Sequence, residues 1–158
     1  MKIKNIIEED FVNYFKPSMF ILFNKCSFKC DKEAGCAICQ NSGLANEPDI
    51  DISFIEIVNR YVKNPITKAI VFGGLEPFDS EELFMFIEYN RNYTNDEIVI
   101  YTGYTEEEIS DEIQWLQKSG IKNIIIKYGR FIPNQEKHYD EVLGVELASP
   151  NQYARRIS

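Results

Sequence analysis

Apolar residues in this chain follow two rhythms, short continuous runs and longer stretches that recur every three or four positions. SMFILF at Ser18–Phe23, residues 68–72, EIVIY at Glu97–Tyr101 and residues 121–127 are continuous runs of strand length. Such runs read as strands buried on both faces, as in a parallel sheet. Between them lie helical patterns. Phe54, Ile57, Val58 and Tyr61 form one, opened by Asp51 or Ser53 as N-cap and ended by Asn64-Pro65. Ser80, Glu81 and Glu82 open the next, whose Leu83, Phe84, Phe86 and Ile87 face the sheet while the acids suit the helix dipole. Thr105 and Glu108 make a capping box for a third, from about Glu106 to Gly120.

The rest is less regular. Residues 1–15 read as a short strand or turn leading in, and NSGLANEPDID, with Gly43 and Pro48, reads as loop. Residues 142–147 supply one further strand-like piece. Four cycles of strand, loop and helix imply parallel pairing through right-handed crossovers. The predicted fold is α/β, one domain over residues 1–158, with too few units for an eight-fold barrel and so an incomplete TIM-like barrel. The loops that follow the strands then share one edge: the cysteine loop, GGLEP, YTGY and YGRF.

Composition narrows the classes. The chain has 158 residues, 44% hydrophobic and 13% aromatic, which is enough to build a core without staples. With 17 basic against 25 acidic residues and a net charge of -8, an extended nucleic-acid interface is not expected. No apolar run has the length of a membrane span, and MKIKNIIEED carries no apolar signal segment. A soluble protein of the reducing cytoplasm is the expectation.

All four cysteines fall in CSFKCDKEAGCAICQN, at Cys26, Cys30, Cys36 and Cys39. Crowded thiolates are soft ligands that select zinc, copper(I) or iron–sulfur clusters. On spacing alone three readings stand: an iron–sulfur cluster, a closed zinc tetrahedron from the pairs Cys26/Cys30 and Cys36/Cys39, or disulfides and free thiols. Only five residues separate the two pairs, which is short for a zinc loop. The other motifs have plain readings as well. Gly73 and Gly74 make a tight strand-to-helix turn, Glu76 is a solvated acid at a helix start, and Tyr101 and Tyr104 are core edges.

CSFKC with Ile38-Cys39-Gln40-Asn41 resembles the radical S-adenosylmethionine superfamily signature, in which three cysteines hold a 4Fe-4S cluster and an apolar residue precedes the third. GGLEP resembles that family's Gly-Gly-Glu-Pro motif. YTGYT before an acidic helix, GRF and SPNQ resemble one branch, the small activating proteins of anaerobic ribonucleotide reductase. The resemblance implies a 4Fe-4S cluster on Cys26, Cys30 and Cys39, whose remaining iron chelates S-adenosylmethionine. It implies Ile38 near the adenine, Gly73, Gly74 and Glu76 at the methionine end, and Thr102 and Gly103 beside the nucleoside. Asn151 and Gln152 would serve the same pocket or a partner contact. It also implies an external one-electron reductant and, as partner, a large glycyl-radical enzyme subunit, anaerobic ribonucleotide reductase, on which the enzyme installs a glycyl radical.

Two features depart from that pattern. The family spacing is C-x3-C-x2-C, whereas eight residues separate Cys30 from Cys39 and Cys36 lies between them. Were Cys36 a ligand too, the cluster would be fully ligated, as in an electron-transfer or regulatory protein. The apolar-Cys-polar-Asn context selects Cys39 as the third ligand and leaves Cys36 as a spare thiol. The second departure is Leu75, inserted between the double glycine and Glu76. His138, the lone histidine, is assigned no role.

Overall fold

The computed structural model describes residues 1–158. In chain order the elements are β1 (Lys2–Asp10), β2 (Ser18–Phe23), α1 (Lys29–Ala34), β3 (Ile50–Asp51), α2 (Phe54–Lys63), β4 (Ala69–Gly74), α3 (Glu82–Asn90), β5 (Glu97–Tyr101), α4 (Ser110–Lys118), β6 (Ile124–Tyr128), β7 (His138–Asp140), β8 (Val145–Leu147) and β9 (Tyr153–Arg156). Seven strands form one sheet in the order β3-β1-β2-β4-β5-β6-β9, and β7 pairs with β8 in a separate hairpin. The centre, β2-β4-β5-β6, is parallel throughout. Antiparallel strands close both sides: β1 on β2, β3 on β1 and β9 on β6.

The fold is therefore α/β with a large, mostly parallel sheet, as the apolar runs predict, and the sheet does not close into a barrel. Alternation along the strands sets its two faces. Ile70, Phe72, Ile98, Ile100, Ile124, Ile126 and Tyr128 pack with Ile57, Val58 and Tyr61 of α2, Leu83, Phe86 and Ile87 of α3, and Ile113 and Leu116 of α4. The opposite face carries Ala69, Val71, Val99 and Ile125, and no long helix covers it. Tyr14 and the hairpin residues Leu143 and Leu147 do so instead. That side stays open toward the carboxyl ends of the parallel strands.

Several boundaries differ from the sequence expectation. β1 is a nine-residue strand rather than a short lead-in. Ser53 is the cap of α2, accepting from the Glu56 N–H at 3.3 Å. The Thr105/Glu108 capping box forms reciprocally, with Thr105 N–H to Glu108 Oε2 at 2.9 Å and Glu108 N–H to Thr105 Oγ1 at 3.4 Å, yet regular helix begins only at Ser110. Ile109, at φ -122° and ψ 29°, stands outside the helical region and separates the box from the helix. β6 begins at Ile124 because Asn123 is left-handed (φ 62°). β3 and β9 went unforeseen, the one only two residues long and the other the polar stretch YARR with Ala154 alone buried. No helix is long and apolar enough to cross a membrane.

Candidate metal centre

The carboxyl ends of β2, β4, β5 and β6 carry the four loops that the sequence places on one edge. The cysteine loop leaves β2 and is anchored at once. Ser27 N–H donates to Asp79 Oδ2 at 2.7 Å, Tyr104 O–H donates to Asp79 Oδ1 at 2.5 Å, and Lys25 C=O accepts from Glu76 N–H at 2.7 Å. Phe28, left-handed at φ 53°, turns the chain into α1, which carries Cys30. Beyond α1, one carboxylate closes the loop at its base. Asp31 Oδ1 accepts from the N–H groups of both Ile38 and Cys39, each at 2.8 Å. The residues between Cys30 and Cys39 are thus a short excursion closed by Asp31, with Cys36 exposed on it. This is how an eight-residue spacing returns Cys39 to the neighbourhood of Cys30.

Cys26, Cys30 and Cys39 line one cavity of about 250 Å³, together with Gly73, Gly74, Glu76, Thr102 and Gly103. Cys36 does not line it. Of the other predicted residues, Gln152 reaches this cavity, whereas Ile38 and Asn151 line a neighbouring cavity of about 760 Å³ that shares Cys30, Gly129 and Phe131 with the first. The glycines make close approach possible. A Cβ on Gly73 would meet Phe20 Cε2 at 2.8 Å, and Gly74 is left-handed at φ 82°. A Cβ on Gly103 would stand 3.6 Å from Cys30 Sγ and 3.7 Å from Glu76 Oε2, so bare backbone lies against the thiol.

Glu76 is not the solvated acid of the plain reading. It is 6% exposed, and its carboxylate accepts from Thr102 O–H at 2.7 Å, Gly103 N–H at 2.9 Å and Phe78 N–H at 3.2 Å. Burial pushes it up to about 7 against those three donors. Leu75, the extra residue of GGLEP, is buried beside it. Glu76 therefore clamps the loop after β4 to the loop after β5. Burial also pushes the Cys26 thiol up to about 11, against donation from the Phe28 N–H, and raises Cys39. Without metal these thiols stay protonated at neutral pH, and binding a metal must displace their protons.

Sequence reasoning missed three residues here. Arg130 joins three loops, with Nη1 donating to Gly103 C=O and Glu108 Oε2 at 2.7 Å each, Nη2 to Glu108 Oε1 at 2.6 Å, and Nε 2.7 Å from Glu33 Oε2 of α1. Lys127 lines the cavity from β6, and burial pulls it down to about 8 against the attraction of Glu76 and Cys30. Its signal was legible, a lysine inside a run in which every position is buried. Asp31, the third, had no local signal. The SPNQ turn is largely structural. Asn151 Nδ2 donates to Arg130 C=O at 2.9 Å and Gln152 Nε2 to Gly129 C=O at 3.3 Å, while His138 Nε2 lies 2.8 Å from Gln152 C=O.

Residues 17–149 match the model of a family described as a 4Fe-4S single cluster domain. No curated protein and no solved structure matches the chain. The donor set fits such a cluster. Three thiols spread around a cavity suit a cluster, in which each thiolate binds a different iron.

Proposed function

We propose that this chain, which belongs to the 4Fe-4S single cluster domain family, is a radical S-adenosylmethionine activating enzyme. Its partner is a large glycyl-radical enzyme subunit, anaerobic ribonucleotide reductase. One observation carries the reading: Cys26, Cys30 and Cys39 line the cavity, and Cys36 stands outside it. Three protein thiolates leave one iron of a 4Fe-4S cluster for a small-molecule ligand. A bound cluster would supply one electron, taken from an external reductant, for breaking a sulfonium C–S bond of S-adenosylmethionine, the chemistry that would yield methionine and a 5'-deoxyadenosyl radical able to take hydrogen from a glycine of the partner.

The chain's own residues bind, orient and exclude water. Gly73 and Gly74 keep this wall bare backbone for the methionine end, since a Cβ at Gly73 would run into Phe20 and one at Gly74 into Leu22 and Leu44. Glu76, already held by Thr102 and Gly103, fixes the wall on which the nucleoside rests. An adenosyl group that extends from the first cavity into the second meets Ile38 there. The Asp31 closure keeps Cys39 facing the cavity while Cys36 remains in solvent.

The test is product analysis. Chain reconstituted anaerobically with iron and sulfide, then given dithionite and S-adenosylmethionine, is expected to release 5'-deoxyadenosine. Cys36→Ala should keep that activity and Cys39→Ala should lose it. Cluster formation without product, with both cysteines needed to hold the cluster, would replace this reading with a fully ligated electron carrier.

A further inference from the structure

Lys127 is the one cation in the cavity wall. Alternation along β6 sends Ile124, Ile126 and Tyr128 to the helix-covered face and Ile125 to the other, and Lys127 follows Ile125. The residue is 6% exposed. Its ammonium donates to Gly129 C=O at 3.2 Å and stands 5.7 Å from the Tyr101 ring centroid, and it forms no ion pair. Glu76, the only carboxylate of the cavity wall, is held by Thr102, Gly103 and Phe78 instead. A buried charge that makes no ion pair is costly, and an anion taken up beside it would relieve that cost. The thiols of Cys26, Cys30 and Cys39 line the same cavity, so a cluster held on their thiolates would bring negative charge to this wall.

We propose that the Lys127 ammonium is the counter-charge of the cluster and raises its reduction potential. The inference rests on Cys26, Cys30 and Cys39 holding the cluster, and does not depend on S-adenosylmethionine cleavage. Reduction adds one electron from an external reductant, breaks no protein bond and makes the cluster more negative. A fixed cation in the wall attracts the reduced state more than the oxidised one. Across a cavity of about 250 Å³, an elementary charge in the wall is worth about tenfold in the ratio of the two states.

The experiment compares wild type, Lys127→Met and Lys127→Arg, each reconstituted and assayed for iron and labile sulfide, by potentiometric titration followed with electron paramagnetic resonance. At the wild-type midpoint the reduced-to-oxidised ratio of Lys127→Met should fall about tenfold, a downward shift of about 59 mV for a one-electron couple. Lys127→Arg, which keeps the charge, should titrate close to wild type. Wild-type behaviour in Lys127→Met overturns the proposal, as does an equal shift in Lys127→Arg, which would make the effect one of packing. Thermal unfolding of the metal-free chains gives a second readout. Metal-free Lys127→Met should be at least as stable as metal-free wild type, and a clear loss would assign Lys127 a structural role and overturn the proposal. Failure of the ligand assignment itself is read separately, as wild-type chain that takes up no iron and sulfide.

Discussion

Replacing Arg130 with alanine should loosen the metal centre and the fold together. The guanidinium is 10% exposed and makes the hydrogen bonds to Gly103 C=O and to both oxygens of Glu108, with Glu33 alongside. Hydrogen bonds to charged groups are worth about 1.5–3 kcal/mol each when buried. Two corrections reduce the sum. Glu33 is 60% exposed, so its arm contributes about 0–1 kcal/mol. Glu108, 28% exposed, keeps Lys29 at 3.1 Å and can be hydrated again. The net loss is about 3 kcal/mol, and for a chain of this length that corresponds to about 6–12 °C in Tm. Arg130→Lys should recover less than half, because an ammonium cannot bind Glu108 through two parallel bonds. The loss should also depend on pH. The Arg130 hydrogen bond holds Glu108 well below the usual carboxylate range, with burial opposing it and Thr105 N–H and Lys29 assisting. A carboxylate with a depressed folded pKa stabilises above its unfolded value, about 4.3, and loses that contribution as pH falls. Thermal melts of wild type and Arg130→Ala at pH 7 and at about pH 3 should therefore differ less at the lower pH. A change in Tm under about 2 °C at pH 7, or a gap that does not narrow in acid, would refute the reasoning.

Two further outcomes follow from the same geometry. Asp31→Ala removes the acceptor of the Ile38 and Cys39 N–H groups, and because α1 buries no residue, Tm should move by less than about 3 °C while iron retention under a chelator falls. Glu97 sits 14% exposed at the opposite end of β5, where burial would raise it but hydrogen bonds from Lys16, Arg156 and Tyr14 prevail and bring it down to about 2. Its stabilisation is present above about pH 4.3 and is lost as pH falls toward 2, so Glu97→Gln should be less stable at neutral pH and converge on wild type in acid denaturation.

The residues that spoke clearly in the sequence are those whose position the sheet decides alone. Four apolar runs gave the parallel centre, and Ser53, Thr105 and Glu108 named their caps because those contacts are local. β9 was not legible, since an antiparallel edge strand needs only one buried side chain, Ala154, and YARR has no strand rhythm. The open side of the sheet was also hidden, because the cover from Tyr14 and the β7–β8 hairpin depends on pairings far apart in the chain. At the metal centre, cysteine spacing left Cys36 and Cys39 as rivals. What separates their placement is the Asp31 carboxylate, a tertiary hydrogen bond that a motif does not record. Glu76 looked like a surface acid because its donors, Thr102 and Gly103, belong to another strand's loop.

The central claim is that three of the four cysteines hold the cluster and Cys36 does not. It is tested most directly by iron and labile-sulfide content, with the visible spectrum, of four anaerobically reconstituted variants: Cys26→Ala, Cys30→Ala, Cys36→Ala and Cys39→Ala. Cys36→Ala should match wild type in iron and sulfide per chain, while the other three lose most of both. A Cys36→Ala chain that fails to hold the cluster, or a Cys39→Ala chain that keeps it, would contradict the account.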